Sequence, residues 1–230
     1  RGVAFDFRVK ARAEHKPLWD RAFYAGSLLA GWSQGFMLGG LVTGFGGDRG
    51  SQLFSALIGL CLVAAYCLLG AGWLIMKTEG ALQLKAVRWA QASLWLTAAG
   101  VAAISLATPW VSQRIFDKWF SFPNVVMLLP IPGMTVALFV VIARSLKRLP
   151  TRLAQNNQYG AAVPFASTVG IFLLAFYGLA YSLFPWLVVD KLTIWNAASA
   201  PEALPVGRPI IALGQRRHHS RIWVASAEAR

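Results

Sequence analysis

Long apolar runs separated by short polar stretches make up the pattern of this chain. Five of the runs are long enough to cross a hydrocarbon core, which needs about 20 helical residues. A bilayer span must satisfy its own backbone hydrogen bonds, so each run is predicted to be a helix. The chain is therefore predicted to be an all-α, polytopic transmembrane helix bundle with five spans, at about residues 22–45, 53–76, 89–107, 125–143 and 163–189.

Small residues and prolines mark two of these runs. Gly31, Gly35 and Gly39 recur every four residues in the first run and form one smooth stripe. Such a stripe lets a second helix pack at close range, although unselected composition is the alternative explanation. Pro130 and Pro132 interrupt the fourth run, which predicts a kink there because each proline removes a backbone donor.

The composition excludes a soluble enzyme. Hydrophobic residues make up 57% of the chain and charged residues only 13%, which leaves too little polar surface to cover a soluble domain. The net charge of +13 would suggest nucleic acid in a soluble protein. Here the cations lie beside apolar runs, so membrane lipid is the predicted partner and nucleic acid is not.

The cations also predict an orientation, because cytoplasmic loops carry the excess of Lys and Arg. Thirteen cations lie on the Arg1 side, which is therefore predicted to be cytoplasmic, and four lie on the other side. The thirteen are Arg1, Arg8, Lys10, Arg12, Lys16, Arg21, Lys77, Lys85, Arg88, Arg144, Lys147, Arg148 and Arg152, and the four are Arg49, Arg114, Lys118 and Lys191. Residues 1–203 form the predicted membrane core, and residues 204–230 are read as an atypical polar tail.

Few residues in the chain suggest chemistry of their own. A haem needs an axial ligand inside the bundle, but His15, His218 and His219 all lie outside the predicted spans. The sequence also lacks a phosphate-binding Gly-Lys-Ser/Thr loop, a His-Glu-x-x-His motif and a nucleophile elbow. We expect the chain to bind no haem or metal and to carry no catalytic residue.

One stretch carries a more specific signal. Trp73–Gln83 has the pattern W-L-x-x-K-T-E-G-x-L-Q, which resembles a signature of subunit II of the cytochrome bd-type quinol oxidases, particularly the cyanide-insensitive branch. Other segments are similar to the same pattern in the same order, so that the resemblance covers about residues 1–203. These segments are Arg1–Arg8, Trp19-Asp20, Gly26–Ala30, Gln34-Gly35, Phe184-Pro185 and Leu192–Ala198.

The resemblance implies a non-haem subunit of a heterodimeric terminal oxidase in the bacterial inner membrane. The family's subunit has eight helices, of which this chain looks like the third to seventh. The partner, subunit I, would hold haem b and haem d, oxidise quinol and reduce oxygen to water. The motif positions carried over as candidate proton-path or assembly residues are Arg1, Trp19, Asp20, Lys77 and Glu79.

Structural roles remain open for these residues. Each can instead belong to a helix-end ion pair, such as Arg1 with Asp20. On a continuous helix Lys77 and Glu79 point apart, which predicts that Glu79 turns toward a cation such as Arg1, Arg8 or one on subunit I. For the whole chain, a small-molecule transporter or channel subunit and a purely structural scaffold are the alternatives.

Overall fold

The computed structural model describes residues 2–155, 157–189 and 191–197. Arg1 and the predicted tail at 204–230 therefore lie outside the described residues. Helices dominate the described part, and a single-turn 3₁₀ helix (Ala13–His15) joins the first two. The elements are α1 (Gly2–Lys10), α2 (Lys16–Val42), α3 (Arg49–Lys77), α4 (Gly80–Val111), α5 (Gln113–Phe120), α6 (Asn124–Leu128), α7 (Pro130–Ala154), α8 (Val163–Leu183), β1 (Trp186–Val188), β2 (Leu192–Thr193) and α9 (Ile194–Ala197).

Four of the helical segments are long and apolar enough to cross a membrane: α3, α4, α8 and the combined α6–α7 segment. Their outer surfaces are strongly apolar. Leu106 is 74% exposed and Phe176 is 72% exposed, as expected where lipid rather than water surrounds a helix. The prediction of an all-α, multi-pass membrane bundle is confirmed.

The first predicted span overlaps α2, which ends at Val42, and α2 is not among those four segments. Its glycines, together with Ser33 and Gln34, interrupt the apolar residues of this helix. The predicted count of five spans therefore stays a prediction.

Several helices extend beyond their predicted limits. Helix α4 begins at Gly80 rather than near Trp89, so the stretch 77–88, predicted as a loop, is mostly helical. Helix α7 continues through its cations to Ala154. Polar turns at the membrane edge can remain helical because water satisfies their outer groups, so hydropathy alone underestimates helix length.

The last predicted span is too long, because α8 ends at Leu183. The chain then forms a small hairpin, in which Trp186 of β1 lies opposite Thr193 of β2 in an antiparallel pair. A backbone hydrogen bond from the N–H of Val189 to the carbonyl of Leu41 joins the hairpin to the end of α2 (3.2 Å).

The α6–α7 segment is interrupted between Leu128 and Pro130. Pro130 is the first residue of α7, a position where a missing N–H costs no helical hydrogen bond. The N–H of Gly133 bonds to the carbonyl of Leu129 across the junction (3.3 Å). The prolines predicted to kink the fourth span thus lie where one helix stops and the next begins.

The glycine stripe of α2 lies against α3, and both Gly35 and Gly39 are buried. A Cβ atom added to Gly35 would lie 2.6 Å from the Cα of Gly59, and one added to Gly39 would lie 2.7 Å from the Cβ of Ser55. At Gly31 the nearest side-chain atoms are 3.4 Å away, an ordinary contact. Gly35 and Gly39 thus allow α2 to lie close against the backbone of α3.

Buried apolar side chains form two clusters, one toward each end of the bundle. One cluster joins α3, α4 and α7 and includes Ile75, Ala90 and Leu146. We call this the Lys77 end, defined by the turn 77–80 and by residues 155 and 157–162. The second cluster contains Val42, Phe54 and Ile115. It lies at what we call the Lys118 end, defined by α5, the turn 43–48 and residues 184–189 and 191–197.

Candidate functional site

The stretch with the specific sequence pattern forms a sharp turn between α3 and α4. Lys77 is the last residue of α3, whereas Thr78 and Glu79 are extended. Gly80 opens α4 with a φ of 69°, a conformation that glycine adopts without strain. The Thr78 hydroxyl donates to the carbonyl of Leu74 (2.7 Å) and helps to end α3. The helix therefore does not continue to Glu79. The prediction that Lys77 and Glu79 point apart assumed a continuous helix, and that assumption is wrong.

Gln83 connects this turn to the rest of the Lys77 end. Its side chain is 2% exposed, and its Nε2 donates to the carbonyl of Ile75 (2.8 Å) and to Oε1 of Gln158 (2.9 Å). The first bond satisfies a carbonyl in the last turn of α3, which has no partner within the helix. The second bond reaches the loop before α8. Sequence reasoning missed this residue, although it closes the motif.

Lys77 and Trp73 form the interfacial part of the site. The Lys77 Nζ lies 5.4 Å from the centroid of the Trp73 ring, a cation–π distance. Trp73 packs edge-on against Phe165 of α8, with 5.2 Å between the ring centroids. Gly72 permits this contact, because an added Cβ would come within 3.0 Å of the Phe165 Cα. Lys77 is thus held along an aromatic side chain while its end remains exposed.

Glu79 differs from its neighbours in having little local support. It is exposed, and as the N-cap of α4 it makes no side-chain capping hydrogen bond. It makes no hydrogen bond or ion pair with another residue that the structure describes. Arg8, one of the cations predicted to attract it, instead pairs with Asp20.

Trp19 and Asp20 are brought together with α1. The rings of Phe7 and Trp19 stack at 5.2 Å between centroids, and Arg8 forms a salt bridge with Asp20 in which both side chains are about half exposed. An ion pair at Asp20 was predicted with Arg1, which lies outside the described residues. In the structure, the described partner of Asp20 is Arg8.

The helix pairing relates the two groups of candidates. Helices α2 and α3 are antiparallel, with Gly39 against Ser55 and Gly31 against Val63. The start of α2, with Trp19 and Asp20, therefore lies at the same end of the bundle as Lys77 and Glu79. No described hydrogen bond or ion pair joins the two groups directly.

Comparison with known protein families gives a match over most of the chain. The family model for cytochrome bd terminal oxidase subunit II matches residues 1–214. The chain belongs to this family. No curated protein matched the chain.

Membership of a family of cytochrome subunits raises the question whether this chain's own residues can ligate a haem. An axial ligand must project into the bundle. His15 is in the 3₁₀ turn before α2, and the described residues contain no cluster of three or more His, Cys, Asp or Glu side chains able to hold a metal ion. His15 is the histidine among the described residues, and it lies outside the long helices, so those helices offer no histidine ligand in the described part of the chain.

The Lys118 end of this subunit contains a second polar arrangement that the sequence did not reveal. Lys118 Nζ donates to the carbonyls of Tyr181 (2.5 Å) and Phe184 (2.7 Å) at the end of α8. It also lies 4.7 Å from the centroid of the Tyr181 ring. The neighbouring Trp119 donates to the hydroxyl of Ser182 (2.9 Å). These contacts hold α5 against the end of α8.

The Lys118 contacts border a cavity of about 320 Å³ with mainly apolar walls, including Ile115, Leu183 and Trp186. Partial burial lowers the pKa of Lys118 from its usual 10.5 because desolvation penalises the charged form. The only signal available in the sequence was a lysine next to a tryptophan in a short amphipathic segment. Its partners are backbone carbonyls more than 60 residues away, and these are invisible to local patterns.

Proposed function

We propose that this chain is the non-haem subunit II of a cytochrome bd-type terminal quinol oxidase in the bacterial inner membrane. Subunit I, in this proposal, holds haem b and haem d, oxidises quinol and passes the electrons to oxygen, which is reduced to water. This chain binds no cofactor and packs against subunit I as a heterodimer. The observation that carries the proposal is the family match over residues 1–214.

The structure supports a role at the Lys77 end in particular. Glu79 is an exposed carboxylate at a membrane edge, with neither a capping bond nor a described partner. A carboxylate in this position can take up protons from water, or it can pair with a cation of subunit I. Lys77, in contrast, already has Trp73 as a local partner. We therefore assign the proton-path or docking role to Glu79 ahead of Lys77.

The other candidates have more local roles in this proposal. Trp19 and Asp20 attach α1 to α2 through Phe7 and Arg8, and they support assembly rather than proton transfer. Arg1 remains a candidate proton-path or assembly residue, and its support is its position in the family motif. The glycines of α2 set the spacing between α2 and α3.

The activity is tested on the full-length subunit co-expressed with subunit I. The purified complex should give the reduced-minus-oxidised spectrum of haem b and haem d and should consume oxygen when quinol is supplied. A complex without haem and without oxygen consumption would contradict the proposed function. Solute transport by such a complex would favour the transporter alternative, for which the described helices offer one broken span, at Leu129.

The role of the turn is tested in the same complex by charge removal. Glu79→Gln should lower oxygen consumption or the yield of assembled complex, whereas Lys77→Gln should have a milder effect. Glu14→Gln is the matched control, because Glu14 is also exposed and lies in the 3₁₀ turn just before α2. Near-normal activity and assembly in all three variants would show that the turn only connects two helices.

The orientation is also proposed, with the Lys77 end in the cytoplasm. Single cysteines at Arg148 and Lys191 test it in intact cells, because these residues lie toward opposite ends of the bundle. A membrane-impermeant thiol reagent should reach position 191 and not position 148. The reverse labelling pattern would overturn the proposed orientation.

A further inference from the structure

A groove of about 380 Å³ lies beside the first turns of α4, where its lining residues are Lys85, Arg88 and Trp89. Residues three and four apart lie on the same face of a helix, so both cations and the indole border one space. All three side chains are exposed, and Trp89 is 53% exposed. The groove therefore has a positive rim beside an aromatic wall.

The cations of the groove have no local counter-ion. None of the three lining residues makes a hydrogen bond or ion pair with another described residue. Neither α4 nor its neighbour α7 contains an Asp or Glu, although together they carry six cations. The six are Lys85, Arg88, Arg144, Lys147, Arg148 and Arg152. No described ion pair balances these six cations, so they are available to an anion from outside the chain.

The position of the groove indicates which anion is available. At a rise of 1.5 Å per residue, Lys85 and Trp89 lie about 8–14 Å along α4 from Gly80. Trp73 lies near the neighbouring end of α3 and is also exposed. Exposed tryptophans at the end of a membrane span are typical of the headgroup level. The groove thus opens where phospholipid headgroups begin.

An apolar surface continues from the groove along the same helix. Leu96 follows Trp89 by seven residues, two helical turns further on the same face, and it is 65% exposed. A phospholipid whose phosphate is bound by Lys85 and Arg88 would thus have its acyl chain directed over Trp89 and Leu96. Free phosphate shares the charge chemistry but would leave this apolar surface unused.

We propose that the groove of Lys85, Arg88 and Trp89 is a binding site for the phosphate headgroup of an anionic phospholipid. The Arg88 guanidinium offers paired N–H donors that match phosphate oxygens, and the Lys85 ammonium adds a second charge. Clusters of Lys and Arg beside a membrane helix attract anionic headgroups in membrane proteins. The site goes beyond the proposed oxidase function and does not depend on it.

The test uses the full-length subunit in complex with subunit I and phosphatidylglycerol as the probe. Binding of phosphatidylglycerol is measured by native mass spectrometry during titration of the detergent-solubilised complex. The Lys85→Gln/Arg88→Gln variant should bind roughly thirtyfold more weakly than wild type, from the two lost charges. The Lys147→Gln/Arg148→Gln variant is the matched control, since it removes two exposed cations from α7 outside the groove, and its binding should stay near wild type.

An equal loss of phosphatidylglycerol binding in both variants would show diffuse charge attraction and would overturn the proposed site. Unchanged binding in both variants would overturn it too. Titration with inorganic phosphate and with phosphatidylcholine separates the sources of the ligand. Phosphatidylglycerol should bind most tightly, and equal binding of free phosphate would overturn the lipid assignment.

A photo-crosslinking amino acid at position 89 provides a second readout that keeps both cations. In native membranes it should crosslink to phospholipid. Crosslinking mainly to subunit I would show that protein, rather than lipid, covers the groove and would overturn the proposal. This readout also decides the question if the double variant fails to assemble.

Discussion

Replacing Gly35 by alanine tests the contact that sets the spacing between α2 and α3. The added methyl carbon would lie 2.6 Å from the Cα of Gly59 and 2.8 Å from the carbonyl oxygen of Ile58. Both are backbone atoms, so no side chain can rotate away to make room. Ordinary contacts begin at 3.4 Å, and the helices would have to separate by about 0.8 Å locally.

The expected cost follows from overpacking. Inserting a methyl group that forces a backbone shift costs about 1–3 kcal/mol. Alanine also favours helix over glycine by roughly 1 kcal/mol, which partly offsets that cost. Gly70→Ala is the matched control for this second effect, because Gly70 is inside α3 and an added Cβ would have no neighbour within 4 Å. The difference between the two variants isolates the packing cost.

Thermal unfolding of the detergent-solubilised subunit in its complex measures this difference. For a chain of this size, about 1–3 kcal/mol corresponds to a Tm for Gly35→Ala that is about 2–12 °C below that of Gly70→Ala. Gly31→Ala should fall near the control, since its contacts are already at 3.4 Å. Equal Tm values for Gly35→Ala and Gly70→Ala would refute the close-packing explanation.

Two further predictions concern the Lys118 end. Asp48 caps α3 by accepting hydrogen bonds from Ser51, and these bonds lower the pKa of the Asp48 carboxyl below 3.8. The stabilisation by the ionised cap is therefore present above pH 3.8 and is lost as the pH falls through the lowered pKa. Asp48→Ala should lower the Tm at pH 7, and its gap to wild type should shrink in acid; a gap independent of pH would contradict this. Lys118→Gln should lower the free energy of unfolding by about 1–3 kcal/mol, because two carbonyls at the end of α8 lose a charged donor. The control Lys191→Gln, at an exposed lysine, should not change the Tm. Equal Tm values for the two variants would contradict the proposed contact between Lys118 and the end of α8.

Much of the fold was predictable because membrane insertion is a local property of the sequence. A run of about 20 apolar residues must form a helix in lipid whatever its neighbours do. The spans around Leu53–Met76 and Val163–Leu183 are therefore visible in hydropathy alone. The family was recognisable for a related reason, since the motif at Trp73–Gln83 is contiguous in the chain.

Helix ends were less predictable, because they depend on backbone geometry at the membrane edge. Gly80 begins α4 immediately after a two-residue break, whereas hydropathy placed the next span near Trp89. The polar residues between them form the helical turns of the interface. Hydropathy records where a helix is apolar and not where its hydrogen bonds start.

The partners of the polar side chains were decided only by the tertiary structure. Gln83 bonds to Gln158, and Lys118 bonds to the carbonyl of Tyr181; in both pairs the partners come from segments distant in sequence. Arg8 pairs with Asp20 rather than with Glu79, because α1 folds back along α2. The sequence by itself determined which segments enter the membrane, since that depends on each segment's own transfer from water to lipid. Which polar groups meet depends on how those segments pack against one another, and packing is a property of the whole bundle.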